Sequence, residues 1–154
     1  MVAVHKISED FYEISFSLIA MHCSLEDHAM AYELNKYLKL NFKRCAKDLD
    51  LKTHVSFPIF EWNDDVKEEH WALIANKSQN VNTEVRTDLF QDEPLYSTDY
   101  LIPEYKEVDY FLKIEQEAIA MGGNLLKSIL SIPKVVLAYN VDTENLKSKN
   151  NLIF

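Results

Sequence analysis

Residues 12–23 read YEISFSLIAMHC. Alternation puts Tyr12, Ile14, Phe16, Leu18 and Ala20 on one side of an extended chain and Glu13, Ser15 and Ser17 on the other, the period-two pattern of a strand with one buried face. From Ile19 the second side turns apolar as well, through Met21 and Cys23, so the strand is expected to run into a sheet covered on both faces. Ser24 stands where a helix N-cap belongs. Glu26 and Asp27 fall in the first turn at the positive end of the dipole, and Met30, Leu34, Tyr37 and Leu38 recur as one apolar stripe. A strand and then a helix over residues 25–38 open a strand-helix-strand arm.

Outward from that arm, a charged connection over 43–52 leads to HVSFPIFEW, read as a strand, and HWALIANK, read as its antiparallel return. Pairing symmetric about the polar loop that begins at Asn63 sets Phe60 opposite Trp71. Pro58 lacks an N–H donor, which places its strand at an edge or turns the proline away from a neighbour. Residues 78–94 are polar with weak periodicity and read as a long mobile loop. YSTDYLI and VDYFLKIE, on either side of Pro103, read as a second strand pair. A helix follows over 124–131, with an extension back through 117–121, and the chain's two glycines, Gly122 and Gly123, mark a break there. Pro133 closes that helix, KVVLAYNV reads as a final buried strand, and residues 143–154 form a polar tail ending in Leu152, Ile153 and Phe154. The order implies one α+β domain over 1–154: a mainly antiparallel sheet with two helices on one face, and ferredoxin-like or ACT-like arms flanking a central β-hairpin.

The 154 residues are 47% hydrophobic and 27% charged, a globular mixture, with 16 basic against 25 acidic side chains for a net charge of −9. That balance disfavours a nucleic acid partner and favours a protein with a basic or apolar surface. Two cysteines are too few for a disulfide framework, the N-terminus MVAVHKISED has no apolar signal run, and charges interrupt every long apolar stretch. A reduced, cytoplasmic protein without a membrane span is the expectation.

Reactive chemistry finds little support. His22, Cys23, His28 and Cys45 are the candidate metal ligands, but strand neighbours such as His22 and Cys23 point to opposite faces and no CxxC or HxxxH spacing occurs. Cys23 or Cys45 could pair in space with His22, His28, His54 or His70, yet no nucleophile elbow, P-loop or dinucleotide fingerprint is present. The basic, aromatic stretch from Lys36 to Lys47 reads as a solvated helix end rather than an RNA surface. No catalytic residue, metal or cofactor is assigned.

The stretch Ile102-Pro103-Glu104-Tyr105-Lys106-Glu107-Val108-Asp109-Tyr110 resembles the signature that names the bacterial IPExxxVDY family, and it matches at Ile102, Pro103, Glu104, Val108, Asp109 and Tyr110. The resemblance extends to the terminal NLKSKNNLIF. It implies a bacterial cytoplasmic protein and no particular reaction. Physically the motif reads as a connector: Pro103 suits the first corner of a turn, Glu104 can accept backbone N–H groups, and Val108 and Tyr110 share a strand face from which Asp109 points away. The sharper alternative makes Glu104 and Asp109, with Tyr105 or Tyr110, a patch recognising a basic partner. Leu152, Ile153 and Phe154 either dock on their own domain or serve as a partner-binding tail.

The expected function is therefore a non-enzymatic protein-interaction or adaptor domain with an unidentified partner, self-association being left open. The alternative is a small-molecule-sensing domain, because VDYFLKI, the second helix and IPKVVLAYNV together are similar to one half of an ACT-like domain. That likeness implies effectors bound at strand and helix ends between paired domains.

Overall fold

The computed structural model describes residues 15–52, 55–82, 95–115 and 124–154. Among them are β1 (Ser17–Cys23), α1 (Asp27–Leu38), β2 (Lys43–Arg44), β3 (Leu49–Lys52), β4 (Val55–Phe57), β5 (Ile59–Asp64), β6 (Glu69–Ala75), β7 (Lys77–Asn82), β8 (Leu95–Tyr100), β9 (Tyr110–Glu115), α2 (Asn124–Leu130) and β10 (Val135–Val141). Two short 3-10 turns, Pro103–Tyr105 and Lys149–Leu152, complete them. Tyr12, Ile14, His54, Gly122, Gly123 and the expected helical extension over 117–121 lie outside the described residues.

Six strands form one sheet in the order β10-β1-β9-β6-β5-β2, each neighbouring pair antiparallel. Its first four, β10-β1-β9-β6, follow the ferredoxin-like order, with β5 and β2 added at the far side, so the chain is α+β as its pattern implies. β1 sits in the interior. Ile19, Met21 and Cys23 pack beneath Met30, Ala31 and Leu34 of α1 and Leu125 and Ile129 of α2, which puts both helices on one face. Leu18 and Ala20 face the other way, where Phe57, Leu101, Ile102, Val108, Leu146 and Leu152 bury the second face without an α-helix among the described residues.

Several local expectations are corrected. Glu26 stands at the N-cap of α1 without a side-chain cap bond, because the chain stays extended there (ψ 161°) and delays the helix past Ser24. Pro58 splits its segment: β4 turns away to pair with β3, and β5 enters the main sheet. In the hairpin Trp62, not Phe60, faces Trp71, their rings edge-to-face at 6.1 Å, and Phe60 pairs with Leu73. The turn fixes that register, since Asp64 Oδ1 accepts the Val66 and Lys67 N–H groups and Glu68 adopts a left-handed φ of 53°.

β7 and β8 pair with each other, so the strand pair expected across Pro103 does not form, and part of the expected loop is strand as far as Asn82. Residues 83–94 of that loop lie outside the described residues. β9 instead inserts between β1 and β6, which its run of buried residues on both faces requires. β10 is the sheet's edge rather than a buried strand: Val136 is 82% and Leu137 47% exposed.

Candidate functional site

The motif turn lies on the helix-free face, and one residue unremarked in the sequence organises it. Asn76 is fully buried between β6 and β7. Its Nδ2 donates to the carbonyls of Tyr105 (2.7 Å) and Val108 (2.9 Å), and its Oδ1 accepts the Ile102 N–H at 2.9 Å. Its own N–H donates to the Asp109 carbonyl, and its carbonyl accepts the Leu101 N–H. Every hydrogen-bonding group of this asparagine is thus spent on the segment 101–109. Ile102 and Val108 are fully buried, Pro103 opens a 3-10 turn, and Tyr105 stacks edge-to-face on Phe111 at 6.4 Å.

The carboxylates expected to meet a basic partner are engaged within the chain. Asp109 Oδ2 accepts the Cys23 N–H at 2.9 Å and Oδ1 meets Lys77 Nζ at 3.3 Å. Tyr110 donates its hydroxyl to the Leu25 carbonyl at 2.6 Å. Together these bonds pin the loop between β1 and α1. Val108 and Tyr110 do not share a face: Val108 precedes β9 and packs on the helix-free side, whereas Tyr110 points towards the helices. Strand alternation does not extend to a residue outside the strand.

Glu104 is exposed and holds the C-terminal segment. It accepts the Ser148 N–H at 3.0 Å and the Ser148 hydroxyl, and Asn151 Nδ2 donates to the Leu101 carbonyl at 2.8 Å. Leu152 is fully buried, while Ile153 and Phe154 remain partly exposed. The tail therefore docks internally at Leu152. Burial alone would push the Glu104 carboxyl up, yet the bonds from the Ser148 hydroxyl and N–H and from the Glu104 and Lys147 N–H groups outweigh it and hold the carboxyl below its ordinary range. A depressed carboxylate adds stability above its unfolded-state value, and that share is lost as pH falls through the folded one. Below pH 4.5, the ordinary glutamate value, the melting temperature of the wild type is expected to fall more steeply than that of Glu104→Gln. Parallel acid limbs in thermal melts would refute a charged anchor.

An open cleft of ≈ 260 Å³ lies where β1 meets α1, lined by Cys23, Ser24, Leu25, Ala75, Lys77, Asp109 and Tyr110. Burial pushes the Cys23 thiol up; a backbone bond at Leu25 opposes this, and the Asp109 charge reinforces it. The thiol rests 3.7 Å from Met30 Sδ, packed as a small apolar side chain. Burial, then the charges at Cys23, Asp27, Asp109 and Glu26, hold the Tyr110 phenol well above its usual range.

The other candidate ligands do not converge. His22 Nε2 lies 3.2 Å from the Tyr139 hydroxyl, and His28 stays exposed beside Glu26 and Asp27. Among the described residues no group of three or more His, Cys, Asp or Glu side chains is placed to hold a metal ion. In the basic stretch, Arg44 pairs with Asp48 and lies over the Phe60 ring at 5.6 Å, so part of its charge is met internally. No helix among the described residues is long and apolar enough to cross a membrane.

A buried cation was also missed in the sequence. Lys113, on the helix-free face of β9, is 1% exposed; its Nζ meets Glu115 at 2.8 Å and lies over the rings of Phe154 (4.2 Å) and Phe16 (5.1 Å). The alternation of β9 places Lys113 and Glu115 on one face, two residues apart, but only the tertiary structure supplies the two rings that help offset the burial.

The remaining unusual surface is the outer edge of β10, which is free of any partner strand among the described residues. Val135–Val141, VVLAYNV, contains no charge and no proline, and an extra residue at Val136 interrupts its register with β1. The opposite edge, β2, is two residues long and both are exposed and charged, Lys43 and Arg44. Edges are commonly protected by shortness, by charge or by a bulge; β2 is short and charged, whereas β10 has only the bulge near its start. Comparison with protein-family models, with curated proteins and with solved structures finds no match.

Proposed function

We propose that this chain is a non-enzymatic protein-interaction domain of the IPExxxVDY kind, working in the cytoplasm, and that its binding element is the free edge of β10. The observation carrying this reading is an uncharged edge strand that leaves Val136 and Leu137 in solvent. A partner presenting an uncharged extended segment can add to such an edge, its backbone supplying the bonds and its aliphatic side chains covering Leu137. The motif carboxylates and Leu152 serve the fold in this reading, which removes them as the recognition surface.

Leu137→Lys tests it, since a lysine on an edge strand opposes addition of another strand. Because Leu137 is half-exposed, the variant is expected to melt within a degree or two of the wild type. It should also lose the protein that immobilised wild type retains from a bacterial extract. Tyr32→Lys, on exposed α1 surface, is expected to retain it. A partner kept equally by Leu137→Lys would overturn the assignment. The ACT-like reading draws support from the cleft at the junction of β1 and α1; thermal shifts against amino acids and nucleotides test that reading, and no shift would remove it.

A further inference from the structure

We infer that the strand added to β10 is β10 of a second copy of this chain, the two related by a twofold axis through Ala138. This inference rests on the reading of β10 as the binding element and names what it binds. The argument comes from the charges that bound the strand. Exposed Lys134 stands immediately before it and exposed Asp142 immediately after, and the seven residues between them are uncharged. In an antiparallel pair centred on Ala138, the end of the strand flanked by Lys134 on each copy meets the end flanked by Asp142 on the other, so opposite charges approach at both ends. A parallel alignment would set lysine against lysine and aspartate against aspartate, which is destabilising.

The residues between the ends fit the same register. Leu137 meets Tyr139 on either side of Ala138, and the bulged end with Val135 and Val136 meets the end with Asn140 and Val141, so no charge is buried between the ends and Leu137 gains cover. The bulge at Val136 falls near one end, and Leu137–Val141 keeps an unbroken register with β1, leaving its outer backbone groups regularly spaced for a partner. A chain of net charge −9 repels its copies overall. Association is therefore favoured at a strip whose charges balance, and this strand, uncharged between one lysine and one aspartate, supplies such a strip on each copy. The two sheets would join into one continuous sheet, an isologous interface of the commonest oligomeric kind.

Sedimentation velocity across a micromolar dilution series at physiological salt tests the inference, with melting temperatures to confirm folding. The wild type is expected to sediment as a dimer and Leu137→Lys as a monomer. Lys134→Asp and Asp142→Lys should each raise the dissociation constant about tenfold, because each turns two attractive pairs repulsive. The double exchange Lys134→Asp with Asp142→Lys should restore it. Asp142 also accepts the Glu144 N–H and the Asn145 amide, so Lys134→Asp is the cleaner single variant and the double exchange its control. A wild type that is monomeric throughout, or a dimer indifferent to these changes, overturns self-pairing. A monomer that still retains a Leu137-dependent foreign protein leaves the interaction reading standing; a retained protein indifferent to Leu137→Lys removes that reading as well.

Discussion

Asn76→Ala is expected to lower the thermal midpoint by about 10 °C. Three side-chain hydrogen bonds disappear, and the Ile102 N–H and the carbonyls of Tyr105 and Val108 lose a partner in the interior. An unmet buried polar group costs about 1–3 kcal/mol, so the sum is about 4 kcal/mol. For a chain of this size each kcal/mol moves the midpoint by about 2–4 °C. Hydrogen exchange should show the Ile102 amide losing protection ahead of β9, because the turn loosens while the sheet persists. A midpoint shift of only a degree or two would mean that the turn holds its shape without the asparagine.

Removing residues 146–154 should have a still larger effect. Leu146 and Leu152 are buried against Leu101, Ile102 and Val108, and their loss opens the helix-free face of the sheet to water. Losing two buried leucines, with the Asn151 bond to the Leu101 carbonyl, is worth about 5 kcal/mol. That is a large part of the whole stability of an ordinary domain, so a midpoint drop of about 15 °C, or outright unfolding, is expected. Leu152→Ala should account for about 3 kcal/mol of it. An unchanged midpoint after truncation would return the tail to the role of a free ligand for another protein.

The parts of the fold legible in the sequence are those that local periodicity determines. Alternation at Leu18–Cys23 identified β1 as a strand covered on both sides, and the stripe of Met30 and Leu34 identified α1. Pairing was harder, because an apolar run reports burial without reporting neighbours. KVVLAYNV reads like an interior strand, yet its place at the edge follows from where β1 and β9 lie, which no local pattern in β10 encodes. The Trp62–Trp71 register depended on a turn centred one residue beyond the midpoint of the polar loop. At the motif, Pro103 announced a turn, but the partners of Glu104 and Asp109 are Ser148 and Cys23, 44 and 86 residues distant. Asn76 gave no signal at all: a lone asparagine after a strand looks like any loop residue until the carbonyls it serves are in place.

The sheet order also bears on how the chain reaches its native state. β1, near the start, is completed on one side by β10, so that Leu18 waits for Val141, and on the other by β9. Both ladders close loops spanning most of the sequence, and their entropic cost must be met before either ladder repays it. Assembly therefore has a high contact order and belongs at the slow end for domains of this size. An apolar β1 exposed through that interval is the point at which a nascent chain most needs shelter from its neighbours.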